Sequence, residues 1–406
     1  MGVALKTQTQ PAMEARIEKL VYGGDGLARV DGQVVLAPYV LPGERVLVSP
    51  QRVNAGLLRG ALVNILEPAQ QRVAPRCEYF SDCGGCQYQH AEYAMQLEQK
   101  RLILRETLQR LGGIAYDEEI AILNGEPWQY RNRIQLHFAG GECGFHKAGS
   151  HELCSIEHCP ISSPLLNDAI AKLQQAMRQP QWPSFVRSIE LFTNESELQL
   201  NIQDSARPVA ARFFEWCASF LPLARGPIEY RAAAHGYRIS RGSFFQVNRF
   251  LIDGLVEDVL ADAWGQHAAD LYAGVGLFSL PLAQRFTRVD AIERGGPAYR
   301  DLEFNSREKS ATVRAVKASA EVFLRSLDVP PDLIAADPPR AGLGRDTTAE
   351  LLRLLPPRLT ILSCDPATLA RDLRELLGRY RIARLTLIDL FPQTYHFEVV
   401  ADLRLK

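Results

Sequence analysis

Asp270-Leu-Tyr-Ala-Gly274-Val-Gly276 decides how the second half of the chain is read. It closes an apolar run that reads as a strand and opens a segment that reads as a helix. Glycines at such a junction let the backbone turn tightly and approach a ligand closely. Further apolar runs follow at Val289–Glu293, Val313–Val316, Leu333–Asp337 and Leu359–Ser363, with helix-like stretches between them. This alternation predicts a doubly wound parallel sheet beyond about residue 240.

The loop has the form G-x-G and lacks the third glycine of the dinucleotide fingerprint. Glu293 ends the next strand, 17 residues after Gly276. An acid there can accept hydrogen bonds from ribose hydroxyls. Loop and acid together fit the adenosine part of S-adenosylmethionine at least as well as a nicotinamide dinucleotide.

Two later strand ends carry chemistry. Asp337-Pro338-Pro339-Arg340 stiffens a loop at the carboxyl edge of the sheet, where open α/β folds bind ligands. An amino-group methyltransferase typically carries an aromatic after the two prolines. Arginine here implies a different acceptor atom and a phosphate or base contact. Cys364 ends the following strand, just before a helix expected from Ala367. A helix N-terminus is expected to lower its thiol pKa. A thiolate is useful where the substrate carbon is inert, as at C5 of uracil: attack at C6 makes C5 an enolate carbon. Glu398 begins the last strand and can serve as the base for the C5 proton.

Upstream, residues 1–15 are polar and expected to be loose. From Arg16 to about Ala69, short apolar runs separated by Gly23-Gly24-Asp25-Gly26, Asp31-Gly32 and Pro42-Gly43 predict a compact β-barrel. A helix is expected over His90–Leu111, with Leu97, Leu104, Leu108 and Leu111 on one face and Gly112-Gly113 ending it. Residues 120–240 read as mixed strands with a helix near Pro164–Met177. Trp128-Gln-Tyr130-Arg131-Asn132-Arg133, with His137, His146 and Lys147 nearby, interleaves aromatic and basic residues, which can grip phosphates while stacking bases.

Cys77-x5-Cys83-Gly-Gly-Cys86 sets three thiols on a short loop. A fourth ligand must come from elsewhere, with Cys143, Cys154 and Cys159 as candidates and Cys217 read as a core residue. Structural zinc favours two C-x2-C pairs, so three clustered cysteines and one remote one suit a [4Fe–4S] cluster better. Eight cysteines in 406 residues are too few for a disulfide framework. The longest run without a charge, Leu271–Gln284, is too short to span a bilayer, and Met1–Gln8 lacks the features of a secretion signal. A cytoplasmic enzyme rather than a membrane protein is the expectation. Composition is ordinary: 47% hydrophobic, 23% charged, which excludes disorder, collagen and coiled coil. Forty-six basic residues against 47 acidic give a net charge of −1, so any nucleic acid must be held by a local patch.

Together these residues resemble the S-adenosylmethionine-dependent RNA uracil-C5 methyltransferases. The matches are Ser243-Phe-Phe-Gln246-Val-Asn248, Asp270–Gly276, Asp337–Arg340, Ser363–Asp372 and Phe391–Glu398, in family order. The resemblance implies Cys364 as nucleophile and Glu398 as base. It implies cofactor contacts from Gln246, Tyr272, Gly274, Gly276, Glu293 and Asp337, and RNA contacts from Arg131, Arg133 and Arg340. It selects Cys159 as the fourth cluster ligand beside Cys77, Cys83 and Cys86. One departure stands out: the family commonly has Asn where this chain has Leu277. Tyr22–Arg29 through Leu41–Glu44 resembles the TRAM domain, an OB-like barrel that holds RNA. The implied architecture is α/β multidomain: a TRAM barrel over 12–70, a central α+β domain with the iron–sulfur cluster over 71–240, and a Rossmann-like methyltransferase domain over 241–406. TRAM with a cysteine cluster is the arrangement of the ribosomal-RNA branch, so 23S rRNA is the expected substrate and a monomer the expected state. The alternatives are methylation of the transfer-RNA T-loop uridine and a non-catalytic RNA-binding protein that kept the fold.

Overall fold

The computed structural model describes residues 11–54 and 56–406. The chain forms two compact units. One holds the residues up to Ile103 together with Pro392–His396; the other holds Leu104–Phe391 and Phe397–Lys406. This division differs from the expected boundaries. The cysteine segment groups with the barrel, and the strands of residues 121–239 group with the nucleotide-type sheet.

In the first unit, β1 (Met13–Arg16), β2 (Lys19–Leu20), β3 (Gly26–Val30), β4 (Gln33–Ala37), β5 (Arg45–Asn54) and β6 (Leu57–Glu67) form one sheet, in the order β1-β5-β6-β4-β3-β2. Asp31-Gly32 makes the two-residue β3–β4 turn, with φ of 50° and 78°. Two positive φ values match the twist of the flanking strands. Ile17, Ala28, Val35, Val46, Val48 and Leu58 fill the interior. β1 lies within the stretch expected to be loose; residues 1–10 of that stretch lie outside the described residues.

Glu44, fully buried, ties the barrel's loops together. Its carboxylate accepts the N–H groups of Leu41 (2.8 Å) and Ala69 (3.2 Å) and the Nε (2.5 Å) and Nη2 (2.8 Å) of Arg72. Burial pushes its pKa up, but the Arg72 and backbone hydrogen bonds outweigh this and hold it below the usual range.

Helix α1 (Tyr93–Thr107) runs into a wide π turn at Leu108–Gly112, and Gly113 ends it in the left-handed conformation. The π turn adds a residue to the helical cycle. Leu104 and Leu108 are therefore buried, whereas Leu111, expected on the same face, is half exposed.

The second unit continues with β7 (Ala121–Leu123), β8 (Arg133–Ala139), β9 (Glu142–His146), β10 (Leu153–Ser155), α2 (Pro164–Ala176), β11 (Val186–Thr193), β12 (Leu198–Ser205), α3 (Ala211–Cys217), β13 (Ile228–Ala232), β14 (His235–Ile239) and α4 (Ile252–Val259). Then come β15 (Gly265–Leu271), α5 (Ser279–Leu282), β16 (Phe286–Glu293), α6 (Gly296–Lys309), β17 (Val313–Lys317), α7 (Ala320–Arg325) and β18 (Leu333–Ala336). The chain ends with α8 (Arg345–Leu354), β19 (Arg358–Ser363), α9 (Pro366–Leu376), β20 (Tyr380–Ile388) and β21 (Glu398–Leu405).

An antiparallel sheet has the order β10-β9-β8-β11-β12. The large sheet has the order β17-β16-β15-β18-β19-β21-β20-β7. β15 to β19 pair in parallel, and the order reverses between β15 and β18, the switch point at which such sheets bind ligands. β18 and β19 are buried throughout, as strands covered on both faces must be. The expected parallel sheet is in fact mixed, because β21 runs antiparallel to both β19 and β20. Cys217 is buried in α3, as expected. Among the described residues no helix is long and apolar enough to cross a membrane.

Because Glu44 is buried, removing its partner leaves an uncompensated charge. Arg72→Ala is expected to destabilise the first unit by about 3 kcal/mol, measured by urea unfolding. Since the Glu44 pKa is depressed in the fold, this contribution is present at neutral pH and lost as the pH falls through the carboxylate range.

Candidate active site

Backbone register brings the expected residues to one sheet edge. Leu271 pairs with Ile292 and Ala336, and Ala336 pairs with Ile361. Tyr272, Glu293 and Asp337 thus lie at the carboxyl ends of β15, β16 and β18. Ser363 pairs with Val399, which sets Cys364 and Glu398 opposite one another across β19 and β21.

The glycine loop is built as a cradle. Gly274 has φ of 58°, and a Cβ there would meet nothing within 4 Å. Gly276 has φ of 96°, and its Cβ would lie 3.0 Å from Leu302 Cδ1. Gly274 therefore opens onto free space, while Gly276 lets a helix pack closely. Tyr272 also has a positive φ, 62°, a conformation that a residue with a side chain adopts at a cost. Its hydroxyl reaches the carbonyl of Leu343 (3.5 Å). Glu293 accepts the N–H of Gly274 (3.1 Å) and of Gly295 (3.3 Å), which ties its carboxylate to the loop. Leu277 is buried in the core, and its carbonyl accepts the Tyr237 hydroxyl (3.0 Å). The cradle, the acid and the positive φ values fit the adenosine end of S-adenosylmethionine.

The electrostatics correct one expectation. The Cys364 thiol is pushed up to about 11, by burial first and then by the nearby carboxyls of Glu398 and Asp337; Arg340 opposes the shift. The helix end does not rescue it, because Asp365 caps α9 itself: its Oδ1 accepts the N–H groups of Ala367 and Thr368 (both 2.9 Å). Burial raises Glu398 to about 7. Asp270, fully buried, is raised to about 7 by burial, which outweighs the Ser279 hydroxyl bonded to its Oδ2. Its Oδ1 is buried with no hydrogen-bond partner. Asp337 is raised by burial and by the charges of Glu398 and Asp270.

Gln246 is buried on a strap, Ser243–Asn248, pinned from several sides. Asn132 Nδ2 donates to the Gln246 carbonyl (3.1 Å), and Asn248 Nδ2 donates to the Leu390 carbonyl (3.2 Å). Arg133 donates to Glu190 (2.8 Å) and to the Ser243 carbonyl (2.9 Å) and lies 4.4 Å over the Phe192 ring. Arg133, expected to touch RNA, is thus a part-buried brace for the strap. Tyr130 from the same motif is fully buried. Arg131 is half-buried, with its Nε on the Arg133 carbonyl, and Arg340 is exposed.

Two residues of the site carry no signal of their role in the sequence. Asn132 sits between two arginines and reads as part of a basic patch. Asp372 reads only as the end of a motif, but its Oδ2 accepts the Leu343 N–H (2.8 Å) and latches the loop that follows Asp337. A Cβ on Gly342 would lie 2.4 Å from that oxygen, so the glycine is required.

Cys77, Cys83 and Cys86 lie in the first unit, where the Gly85 N–H donates to Cys83 Sγ (3.4 Å). Cys159 lies in the second unit, and Asn167 grips its backbone N–H (2.8 Å) and carbonyl (3.0 Å). Among the described residues, no three His, Cys, Asp or Glu side chains are grouped to hold a metal ion.

A Rossmann-type sheet with a glycine cradle and an acid at the end of its second strand is the architecture of an S-adenosylmethionine-dependent methyltransferase. The family described as tRNA (uracil-5-)-methyltransferase matches residues 227–404, and the TRAM domain matches residues 10–63. An uncharacterized RNA methyltransferase of Thermosynechococcus vestitus is 31% identical over 97% of this chain and 98% of its own length. The 23S rRNA (uracil(1939)-C(5))-methyltransferase of Alkalilimnicola ehrlichii is 29% identical over 99% and 98%. The structure of the Pyrococcus abyssi tRNA (uracil-54, C5)-methyltransferase, in complex with S-adenosyl-L-homocysteine, is 26% identical with a TM-score of 0.75, covering 96% of this chain and all of that one. The chain belongs to the S-adenosylmethionine-dependent RNA uracil-C5 methyltransferase family.

The raised carboxyls set a pH dependence. A folded-state pKa above the unfolded value contributes stability at low pH that is lost as the pH rises through it. For Asp270 the loss falls between about 3.8 and about 7. Asp270→Asn is expected to be more stable than the parent at pH 8, by about 2 kcal/mol, and this advantage should vanish at pH 4. Thermal melts of both chains across that range check it; a difference independent of pH would contradict the burial argument.

Proposed function

We propose that the chain methylates C5 of a uridine in 23S rRNA through a covalent adduct at Cys364. The observation that carries this reading is the placement of Cys364 opposite Glu398 at the edge that holds the glycine cradle. S-adenosylmethionine, when bound, supplies the methyl group. Cys364 gives up its proton to solvent water and its sulfur bonds to C6 of the uracil, so the C5–C6 electron pair moves to C5 and onto the carbonyl as an enolate. C5 takes the methyl group as its bond to the sulfonium sulfur breaks, which would leave S-adenosylhomocysteine. Glu398 then removes the C5 proton, the C5=C6 bond re-forms and the Cys364 thiolate leaves. A carboxyl held near 7 suits a base that must both take and release a proton at neutral pH. Gln246, Tyr272, Gly274, Gly276, Glu293 and Asp337 line the cofactor side, and Arg131 and Arg340 offer the RNA contacts. The target uridine is flipped out of its stack to reach the thiol.

Full-length similarity to the 23S rRNA enzyme of Alkalilimnicola ehrlichii and the cysteine segment support the ribosomal substrate. The Pyrococcus abyssi structure, whose protein acts on tRNA, favours the second reading, a transfer-RNA uridine. Incubating the protein with each unmodified RNA and mapping 5-methyluridine by mass spectrometry separates them. With 5-fluorouridine RNA, the parent should form an adduct stable to denaturation. Cys364→Ala should form none, and Glu398→Gln should lose turnover by about a thousandfold or more while still forming the adduct with ordinary RNA. Turnover by Cys364→Ala would reject the mechanism.

Cys77, Cys83 and Cys86 are proposed to hold a [4Fe–4S] cluster, with Cys159 as the fourth thiolate that the resemblance implies. Thiolates are the ligands such a cluster takes, and the Gly85 N–H on Cys83 Sγ is the kind of bond that steadies a cluster sulfur. Anaerobically purified protein should contain iron and acid-labile sulfide and show broad visible absorbance. Stoichiometric zinc without iron would overturn the assignment.

A further inference from the structure

Helix α6 starts three residues after Glu293, and two of its fully buried polar side chains face other chain segments. Asn305 Nδ2 donates to the carbonyl of Val275 (2.9 Å), between the two glycines of the cradle. The same amide donates to the carbonyl of Arg238 (3.2 Å), and Asn305 Oδ1 accepts the Arg238 N–H (2.9 Å). One turn earlier, Asp301 accepts the N–H of Ser240 (2.7 Å) and the hydroxyls of Ser240 and Ser243 (both 2.6 Å). The Arg238 guanidinium lies 3.5 Å from Asp301 Oδ1 and stacks over Phe304 (4.5 Å).

Burying a carboxylate and a carboxamide costs free energy unless their hydrogen bonds are made, and a helix packed on a sheet needs neither group. Here all of these bonds go to two segments: the glycine loop, and residues 238–243, which lead directly into Gln246. Leu277 offers the loop no polar side chain of its own, so the Val275 carbonyl is fixed from outside by Asn305.

We propose that Asn305 is a positioning residue for cofactor binding, joining the glycine loop to the strap that carries Gln246, so that the two halves of the cofactor pocket move as one. Asp301 anchors the strap side of this joint. The proposal rests on reading this loop as the seat of S-adenosylmethionine.

The test uses the full-length protein and S-adenosylhomocysteine as the ligand. Its affinity is measured by calorimetry for the parent, Asn305→Asp and Asn305→Leu. Asn305→Asp keeps the acceptor for the Arg238 N–H but loses the donor to Val275, so both variants should bind at least about tenfold more weakly. The KM for S-adenosylmethionine should rise with them while the KM for RNA holds. As a control for stability alone, Asp332→Asn disturbs the opposite edge of the sheet, where Asp332 accepts the N–H groups of Gln266 and His267. It should lower the melting temperature and leave S-adenosylhomocysteine affinity unchanged. Should the Asn305 variants not fold, hydrogen exchange in the parent decides: S-adenosylhomocysteine should slow exchange in residues 238–246 together with 272–277. Unchanged affinity in folded Asn305 variants, or protection confined to 272–277, overturns the proposal. A parent that does not bind S-adenosylhomocysteine overturns the cofactor reading on which it rests.

Discussion

Three carboxyls and a thiol converge at the carboxyl edge of the large sheet, and the arrangement of the second unit follows from keeping them there. Asp270, Asp337 and Glu398 are each raised by burial, and burial, followed by the charges of the last two, pushes the Cys364 thiol up. Such a site at rest is guarded rather than primed. A half-buried, protonated thiol is a poorer target for oxidants and stray electrophiles than an exposed thiolate.

A site of this kind tolerates little displacement, and the chain surrounds it with braces drawn from distant elements. Asn132 and Arg133, at the start of β8, hold the strap. The loop after Asp337 is latched by α9, the helix that begins just after Cys364. Cys364 and the acid-bearing loop are thereby attached to the same short helix. Even Glu293 is fixed by the backbone of the loop it helps to form.

Much of this was legible in the sequence. The alternation of apolar runs set the strand ends, and the motif residues fall at them because β/α units place polar side chains at one edge. What was not legible depends on partners remote along the chain. Arg133 reads as a phosphate grip until Glu190 and Phe192 are seen beside it. Cys364 reads as activated by a helix end until Asp365 is seen to occupy that end. Leu111 reads as buried until a single π turn rotates it outward. In each case a local pattern was sound and a structural neighbour changed its meaning.

The five residues Pro392–His396 belong to the first unit although the chain on either side of them belongs to the second. Gln393 joins it through backbone and side chain: its carbonyl accepts the N–H groups of Gln87 and Tyr88, and its amide exchanges hydrogen bonds with Gln96. The first unit is therefore discontinuous in sequence. During synthesis its final piece is made only after the 288 residues of Leu104–Phe391 have followed the rest of the unit. The strands of the first unit can pair early, but the polar groups of Gln87, Tyr88 and Gln96 must wait for Gln393. Completion of the first unit thus follows the making of most of the second, and comes just before Glu398.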